Sequence, residues 1–299
     1  METYLDCIPC FIRQALDAVR LATDDKSIHE QVLHDVLDLT KSMDLHQSPP
    51  AMSRHIHRRI RELVENPDPY HHLKQRHNQL ALKLYDLLEP VVRRSEHPLE
   101  TAVRLAIAGN IIDLGVKTAL SDSDIRKTID RSLEEPFDHL QIKQLMTDVN
   151  NSGDILYLLD NAGEIVFDRL LIEHLPTEKI TAVVKGAPII NDALMEDADA
   201  VGLTKIVSVI DNGSDAPGTI LESCSDAFQL RFKQADLVIA KGQGNYETLS
   251  HIDKDIYFIL KAKCPVVASD LNRTVGDMIL TKKCAQAAMC CQPKNNPSV

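Results

Sequence analysis

The sequence predicts an α/β protein in two parts, followed by a short disordered tail over 291–299. An N-terminal helical domain is expected over 1–150, and an α/β domain with a largely parallel sheet over 151–290. Three observations predict this. At 299 residues the chain exceeds the usual size of one domain. Up to about Asn150 apolar residues recur at spacings of three and four, as in "LKLYDLLEPVVRRS" and "TAVRLAIAGNIIDLGVKTAL". After Gly153 they gather into short runs separated by glycine turns and helix-like spacers.

In the first half, Pro, Asn and Ser supply stop and cap signals at "HQSPPAMS", "ENPDPYH" and "SEHPLET". The histidines of "SRHIHRRI" and "PYHHLKQRH", set among Arg and Lys, read as solvated helix faces. In the second half the strand-like runs are "ILYLL", "ITAVV", "TKIVSVI", "DLVIA", "IYFIL" and "CPVVAS". Buried strands separated by helical spacers are the signature of βαβ crossovers and hence of parallel pairing.

Composition narrows the function classes. Lys plus Arg number 33 against 44 for Asp plus Glu, a net charge of −11, which argues against a nucleic-acid partner. Trp is absent and aromatics make up 4%, so stacking platforms for single strands are not expected either. The start "METYLDCIPCFIRQAL" has no signal-peptide pattern, and no uncharged apolar run reaches membrane-spanning length. Seven cysteines, an odd number, fit reduced thiols better than a disulfide framework. A soluble cytoplasmic protein with no membrane partner is the expectation.

In a parallel sheet, ligands bind beyond the carboxyl ends of the strands, where helix N-termini offer free N–H groups. "ILYLLDNAGE" places Asp160 and Asn161 at such an end, with Gly163 turning into a helix. Their oxygens suit Mg or Mn, and the same side chains also suit helix capping. "ITAVVKGAPIINDALMEDA" repeats the pattern with Lys185 and then Asp192, a third oxygen ligand or another cap. "ADLVIAKGQGNYETLS" follows its strand with Lys241, two glycines and Asn245, which suits a phosphate or a simple solvent-facing turn. In "AGNIIDLGV", Asn110 and Asp113 share one helical face. Cys7 and Cys10 form a lone CxxC near a helix start, a position that lowers thiol pKa. Without a second CxxC a four-cysteine zinc site is not indicated, and a redox pair or a metal shared with Cys264 stands beside inert packing.

Taken in order, "CIPC", "AGNIID", "LLDNAGEIVFD", "VKGAPIINDALMEDA", "IAKGQGNYETL" and "LKAKCPVVA" resemble the metal-dependent damage-control phosphatases, first catalogued as domain of unknown function 89. The N-terminal CxxC and short length resemble the family's microbial branch. The resemblance implies a helical domain on a Rossmann-like domain, with a divalent metal (Mg, Mn, Co or Ni) in the cleft. Asp160 and Asn161 match its first metal-ligand pair and Asp192 its later acidic ligand. Asn110 and Asp113 match the polar pair from the helical part. Lys241 matches the lysine near the phosphate, with Gly244 and Asn245 in its loop; Glu164 and Lys185 also fall within the motifs. One departure is Ala193-Leu194, where a relative often has Thr.

The expected function is hydrolysis of small phosphate monoesters, sugar phosphates or damaged phosphometabolites. Asp160, Asp113 and Lys241 are the expected catalytic residues; Asn110, Lys185, Lys241, Gly244 and Asn245 would bind substrate, and Asp160, Asn161 and Asp192 metal. Cys7, Cys10 and Cys264 are expected to serve redox chemistry or a secondary metal. Alternatives are a non-catalytic binder of a metal–phosphometabolite complex and a protein carboxyl methyltransferase.

Overall fold

In the computed structural model, residues 1–109, 122–135 and 137–285 are described. Helices come first: α1 (Cys7–Ala22), α2 (Lys26–Ser42), α3 (Pro49–Val64), α4 (His71–Arg94), α5 (Pro98–Ala108), α6 (Asp122–Glu134) and α7 (His139–Asn151). The proline-rich breaks fall as the sequence marks them, because α3 and α5 both start with proline in the first turn, where its missing N–H costs nothing. Strands and helices then alternate: β1 (Ile155–Leu158), α8 (Glu164–Ile172), β2 (Ile180–Val184), α9 (Met195–Ala200), β3 (Ser208–Asp211), α10 (Asp226–Gln234), β4 (Leu237–Lys241) and α11 (Gly242–Leu249). β5 (Ile256–Lys261), α12 (Pro265–Asp270) and β6 (Met278–Lys283) complete the order.

The sheet runs β3-β2-β1-β4-β5-β6. β1 to β5 are parallel and β6 pairs antiparallel with β5. This doubly wound order reverses between β1 and β4, so the crevice at their carboxyl ends is where Asp160 and Lys241 emerge. Both sheet faces are covered. Ile155, Tyr157, Ile180, Ala182, Leu237, Ile239 and Tyr257 bury one face against α4, α5, α7 and α8. Leu156, Leu158, Val183, Val238, Ala240 and Phe258 bury the other with Phe228 and Phe232 of α10 and Val267 of α12. Double-sided burial is why these strands read as unbroken apolar runs.

Not all of the helical half belongs to that core. Only α1, α2 and α3 close a cluster of their own, around Phe11, Ala15, Val19, Val36, Ile56 and Ile60. The next helices share the sheet's core instead.

Three local expectations are corrected. "CPVVAS" is not a strand but α12, with Cys264 at the N-cap and Pro265 preset for the first helical turn. β6 has no strong sequence signal, since its apolar residues end at Leu280 and "TKK" follows. His57 and His77 lie buried rather than on solvated faces. Among the described residues no helix is long and apolar enough to cross a membrane. The tail over 291–299 lies outside the described residues.

The three-helix cluster meets the α/β part through charge. Arg54 Nε and Arg58 Nε each lie 2.6 Å from the carboxylate of Asp215, and Arg61 Nη2 lies at 2.9 Å. Burial works to raise the Asp215 pKa, but hydrogen bonds from Arg58 and Arg54 outweigh it and hold the group far below the ordinary carboxylate range. A depressed folded-state pKa stabilises the fold above the unfolded value near 4, and that contribution is lost as pH falls. Asp215→Asn is therefore expected to cost about 1–3 kcal/mol at neutral pH and progressively less below about pH 4. Denaturant midpoints of both proteins across that range check this; an undiminished deficit in acid contradicts it.

Candidate functional site

The candidate site is built at the end of β1. Leu159 carries the strand into the Asp160-Asn161 pair, and Gly163, at φ 81°, turns the chain into α8. The cap position of α8 is thus a residue with no side chain, and α9 starts from Leu194, whose N–H is taken by Asp197 at 2.9 Å. Asp160, Asn161 and Asp192 stand outside the cap positions, which removes their capping alternative.

The structure brings those three residues together. Asn161 and Asp192 form an antiparallel bridge. Ala162 N donates to Asn191 O, and Ala193 N to Asp160 O, both at 2.8 Å. Asn161 Nδ2 donates to Asp160 Oδ2 at 2.9 Å and to Glu164 Oε2 at 3.2 Å. Asp160 also lies against the start of α11. A Cβ on Gly242 would meet Asp160 Oδ2 at 2.0 Å, so the first position of the Lys-Gly loop must be glycine.

The electrostatics are those of crowded, buried acids. Burial first, then the charges of Glu164 and Asp192, push the Asp160 carboxyl up to about 8. Burial also raises Asp192, to about 6, against the pull of Lys185, whose Nζ lies 3.5 Å from Asp192 Oδ2. Asp192 Oδ2 is buried without a hydrogen-bond partner. A divalent cation suits this set: two buried acids with a neighbouring amide repel one another, and only the long Lys185 contact offsets Asp192 Oδ2.

Lys241 is the cation already present. It is fully buried, and its Nζ meets Ala106 O at 3.0 Å and Glu164 Oε1 and Asp168 Oδ1 at 2.7 Å each. Those contacts use its three N–H donors. Burial alone would lower its pKa, but Asp168 and Glu164 raise it, so the ammonium stays protonated. Tyr157 OH donates to Asp168 at 2.9 Å from the strand before the site. Lys185 is buried too, donating to Gly218 O. Asn245 donates to Lys241 O at 2.7 Å and accepts from Thr219 at 2.7 Å. The Gly244 carbonyl accepts from Thr248 at 2.9 Å and lies against Gly218. Asn110 and Asp113 lie outside the described residues; Gly109, just before them, packs on Glu164 and Phe167.

Sequence reasoning missed the support from α4 and α8. Asn78 Oδ1 accepts Gly163 N at 2.7 Å while its Nδ2 donates to Asp197 at 2.7 Å, tying the Asp160 turn to α9. Asp168 was hidden inside an apolar helix. The available signal was a buried acid one turn beyond Glu164 on the same face. A second donor set, Asp68, His71 and Glu196, places its ligand atoms within 4.8 Å of one another, as a divalent ion would need. There the Lys74 ammonium already stands 2.8 Å from Asp68 and 3.8 Å from Glu196.

Cys7 does not gain the acidity expected of a helix start. Burial raises the Cys7 thiol pKa, with the Tyr4 backbone hydrogen bond opposing and Cys264 and Cys10 among the neighbouring charges. Cys264 Sγ accepts from Gln243 at 3.5 Å. All five described cysteines are free thiols.

The chain is similar to known proteins over nearly its whole length. Residues 3–279 match the model of the damage-control phosphatase ARMT1-like domain. An uncharacterized protein of Methanocaldococcus jannaschii is 39% identical over 93% of this chain and 94% of its own. A damage-control phosphatase of Archaeoglobus fulgidus is 36% identical, covering 91% of this chain and 96% of its own. The crystal structure of a domain of unknown function 89 protein from Pyrococcus horikoshii superposes with a TM-score of 0.85 at 34% identity, covering 94% of this chain and 99% of that one.

Two substitutions test the construction of the site. Lys241→Met strands two buried carboxylates and is expected to cost about 3–5 kcal/mol of stability by chemical denaturation; a loss under about 1 kcal/mol contradicts the buried triad. Gly242→Ala forces Asp160 aside at a φ of 79°. Calorimetric titration with Mn is expected to show binding weakened at least about tenfold, and unchanged binding contradicts the contact.

Proposed function

From the premise that this chain belongs to the damage-control phosphatase ARMT1-like family, we propose that it is a cytoplasmic, metal-dependent phosphatase acting on small phosphate monoesters, sugar phosphates or damaged phosphometabolites. The observation that carries the metal dependence is the backbone bridge that sets Asp160-Asn161 beside Asp192, two buried acids with only a 3.5 Å contact from Lys185 to Asp192 Oδ2. Free thiols at every described cysteine suit a reducing compartment.

In this reading Asp160, Asn161 and Asp192 hold a divalent cation, Mg, Mn, Co or Ni. When bound, such an ion supplies positive charge to the phosphoryl oxygens and acidity to a water or an orienting hold on a carboxylate nucleophile. The chain's own residues do the rest. Asn161 spends its Nδ2 on Asp160 and Glu164, fixing the direction in which both carboxylates point. Glu164, anchored by Lys241, keeps that amide in place and cannot turn into the crevice. Lys241 acts through these carboxylates, with Asp168 and Tyr157 behind it. Lys185 restrains Asp192 from the β2 side, and Gly244 and Asn245 in the first turn of α11 are proposed to hold the phosphoryl group, with Gly242 leaving room for the Asp160 carboxylate. Asp113 and Asn110 complete the proposal as an acid or base and a substrate contact. Cys7, Cys10 and Cys264 are proposed as a redox-sensitive contact or a secondary metal set.

Phosphate release from an aryl phosphate and a sugar phosphate panel, with chelated protein resupplied with each metal, tests the reading. Release is expected to need metal and to fall by at least about 100-fold in Asp160→Ala and Asp192→Asn. Metal-independent release that survives both substitutions sinks it. Tight ester binding without turnover points to a binding protein, and saturable S-adenosylmethionine binding to a methyltransferase.

A further inference from the structure

The segment from Gly186 to Asp192 delivers one of the three oxygen ligands, and it does so through a backbone conformation that its sequence disfavours. Ile190 sits at φ 44°, in the left-handed region. A β-branched side chain there is strained by about 1–3 kcal/mol and persists only where its surroundings enforce it. Part of the enforcement is local. Asp192 N donates to Ile189 O at 3.0 Å, and Ala162 N reaches Asn191 O at 2.8 Å. Ile189 is buried, so the turn cannot roll outward without exposing it.

The remaining hold comes from α3, far away in sequence. Arg61 Nη1 donates to Pro188 O at 2.7 Å, two residues before the strained position. Its Nη2 lies 2.9 Å from Asp215 Oδ2 on the loop after β3. The two loops are themselves zipped together. Gly186 N donates to Ser214 O at 3.1 Å, and a Cβ on Gly186 would lie 2.4 Å from Gly213 Cα. One guanidinium therefore bridges both loops, using its planar fork for a carbonyl on one side and a carboxylate on the other. Arg54 and Arg58 grip Asp215 as well, but their hydrogen bonds do not reach the Pro188 loop.

We infer that Arg61 is a positioning residue that holds Ile190 in its left-handed turn and thereby aims Asp192 at Asp160 and Asn161. The three-helix cluster so sets the cation affinity of a site to which it contributes no ligand. This rests on reading the carboxylate cluster as a divalent-cation site. With Arg61 gone, Ile190 relaxes toward negative φ and carries Asp192 with it. With glycine at 190 the turn no longer needs enforcing.

Mn titration of the full, chelated chain, read by calorimetry and by the electron paramagnetic signal of free Mn, tests this together with thermal melts. Arg61→Gln is expected to weaken Mn about 10–100-fold, the range usual for partners that orient a metal ligand. Arg58→Gln, which also loosens Asp215 but leaves the Pro188 bond, is expected to lower Tm while changing Mn affinity less than about threefold. Ile190→Gly is expected to leave Mn affinity within about threefold of the parent and to shrink the Mn loss caused by Arg61→Gln, a rescue that a merely structural role would not produce. Folded Arg61→Gln that binds Mn like the parent, or equal losses in Arg58→Gln and Arg61→Gln, overturns the inference. If Arg61→Gln does not fold, Arg61→Lys decides, because it keeps the charge and loses the fork that spans both loops: parental Mn affinity overturns the inference. A parent chain that binds no Mn overturns the site reading itself, which separates the two failures.

Discussion

The ammonium of Lys241 is the interaction on which the rest of the site depends. It stands at the carboxyl end of β4, next to β1 at the reversal of the strand order, and three acceptors from two helices close on it: the Ala106 carbonyl of α5, and Glu164 and, one turn on, Asp168 of α8. Removing a charge of this kind from water is expensive, and only acceptors on every side make it tolerable. The sheet, the helix above it and the preceding helical layer are therefore fixed relative to one another by a requirement of solvation. Glu164, held in this way, fixes Asn161, and Asn161 fixes Asp160.

The charge pattern separates two kinds of acid. Asp168 and Glu164 are each paired with the Lys241 ammonium at 2.7 Å, whereas Asp160 and Asp192 lie together with Lys185 as a partial counter-charge 3.5 Å from Asp192. The first pair maintains the scaffold. The second is left electrostatically incomplete, which is the condition on which the proposed cation site rests.

Much of this was legible in the sequence, and what was not has physical reasons. Strand ends are readable because a doubly buried strand leaves an unbroken apolar run, and Asp160, Asn161 and Asp192 interrupt such runs where ligands gather. Lys241 was readable as important but not as buried, since its partners Glu164 and Asp168 lie 77 and 73 positions back in the chain. Arg61 and Asp215 are further apart still, and a basic helix looks solvated until the carboxylate that neutralises it is known. α12 was misread because six residues are too few for periodicity to separate helix from strand. β6 was missed because an edge strand needs only one covered face.

The separate core of α1, α2 and α3 has a consequence for how the molecule comes apart. A unit with its own apolar cluster, fastened elsewhere chiefly by arginine–carboxylate pairs, can open as a foldon while the doubly covered sheet stays shut. Amide protons of β1 and β4, paired on both sides, belong to the slowest-exchanging class, and those of the three-helix unit to a faster one. Because that unit grips the loops beside Asp192, each such opening disarms the site before the fold is lost. Heat and denaturant then act on function at lower doses than on the sheet, and the sheet survives as the template on which function is rebuilt.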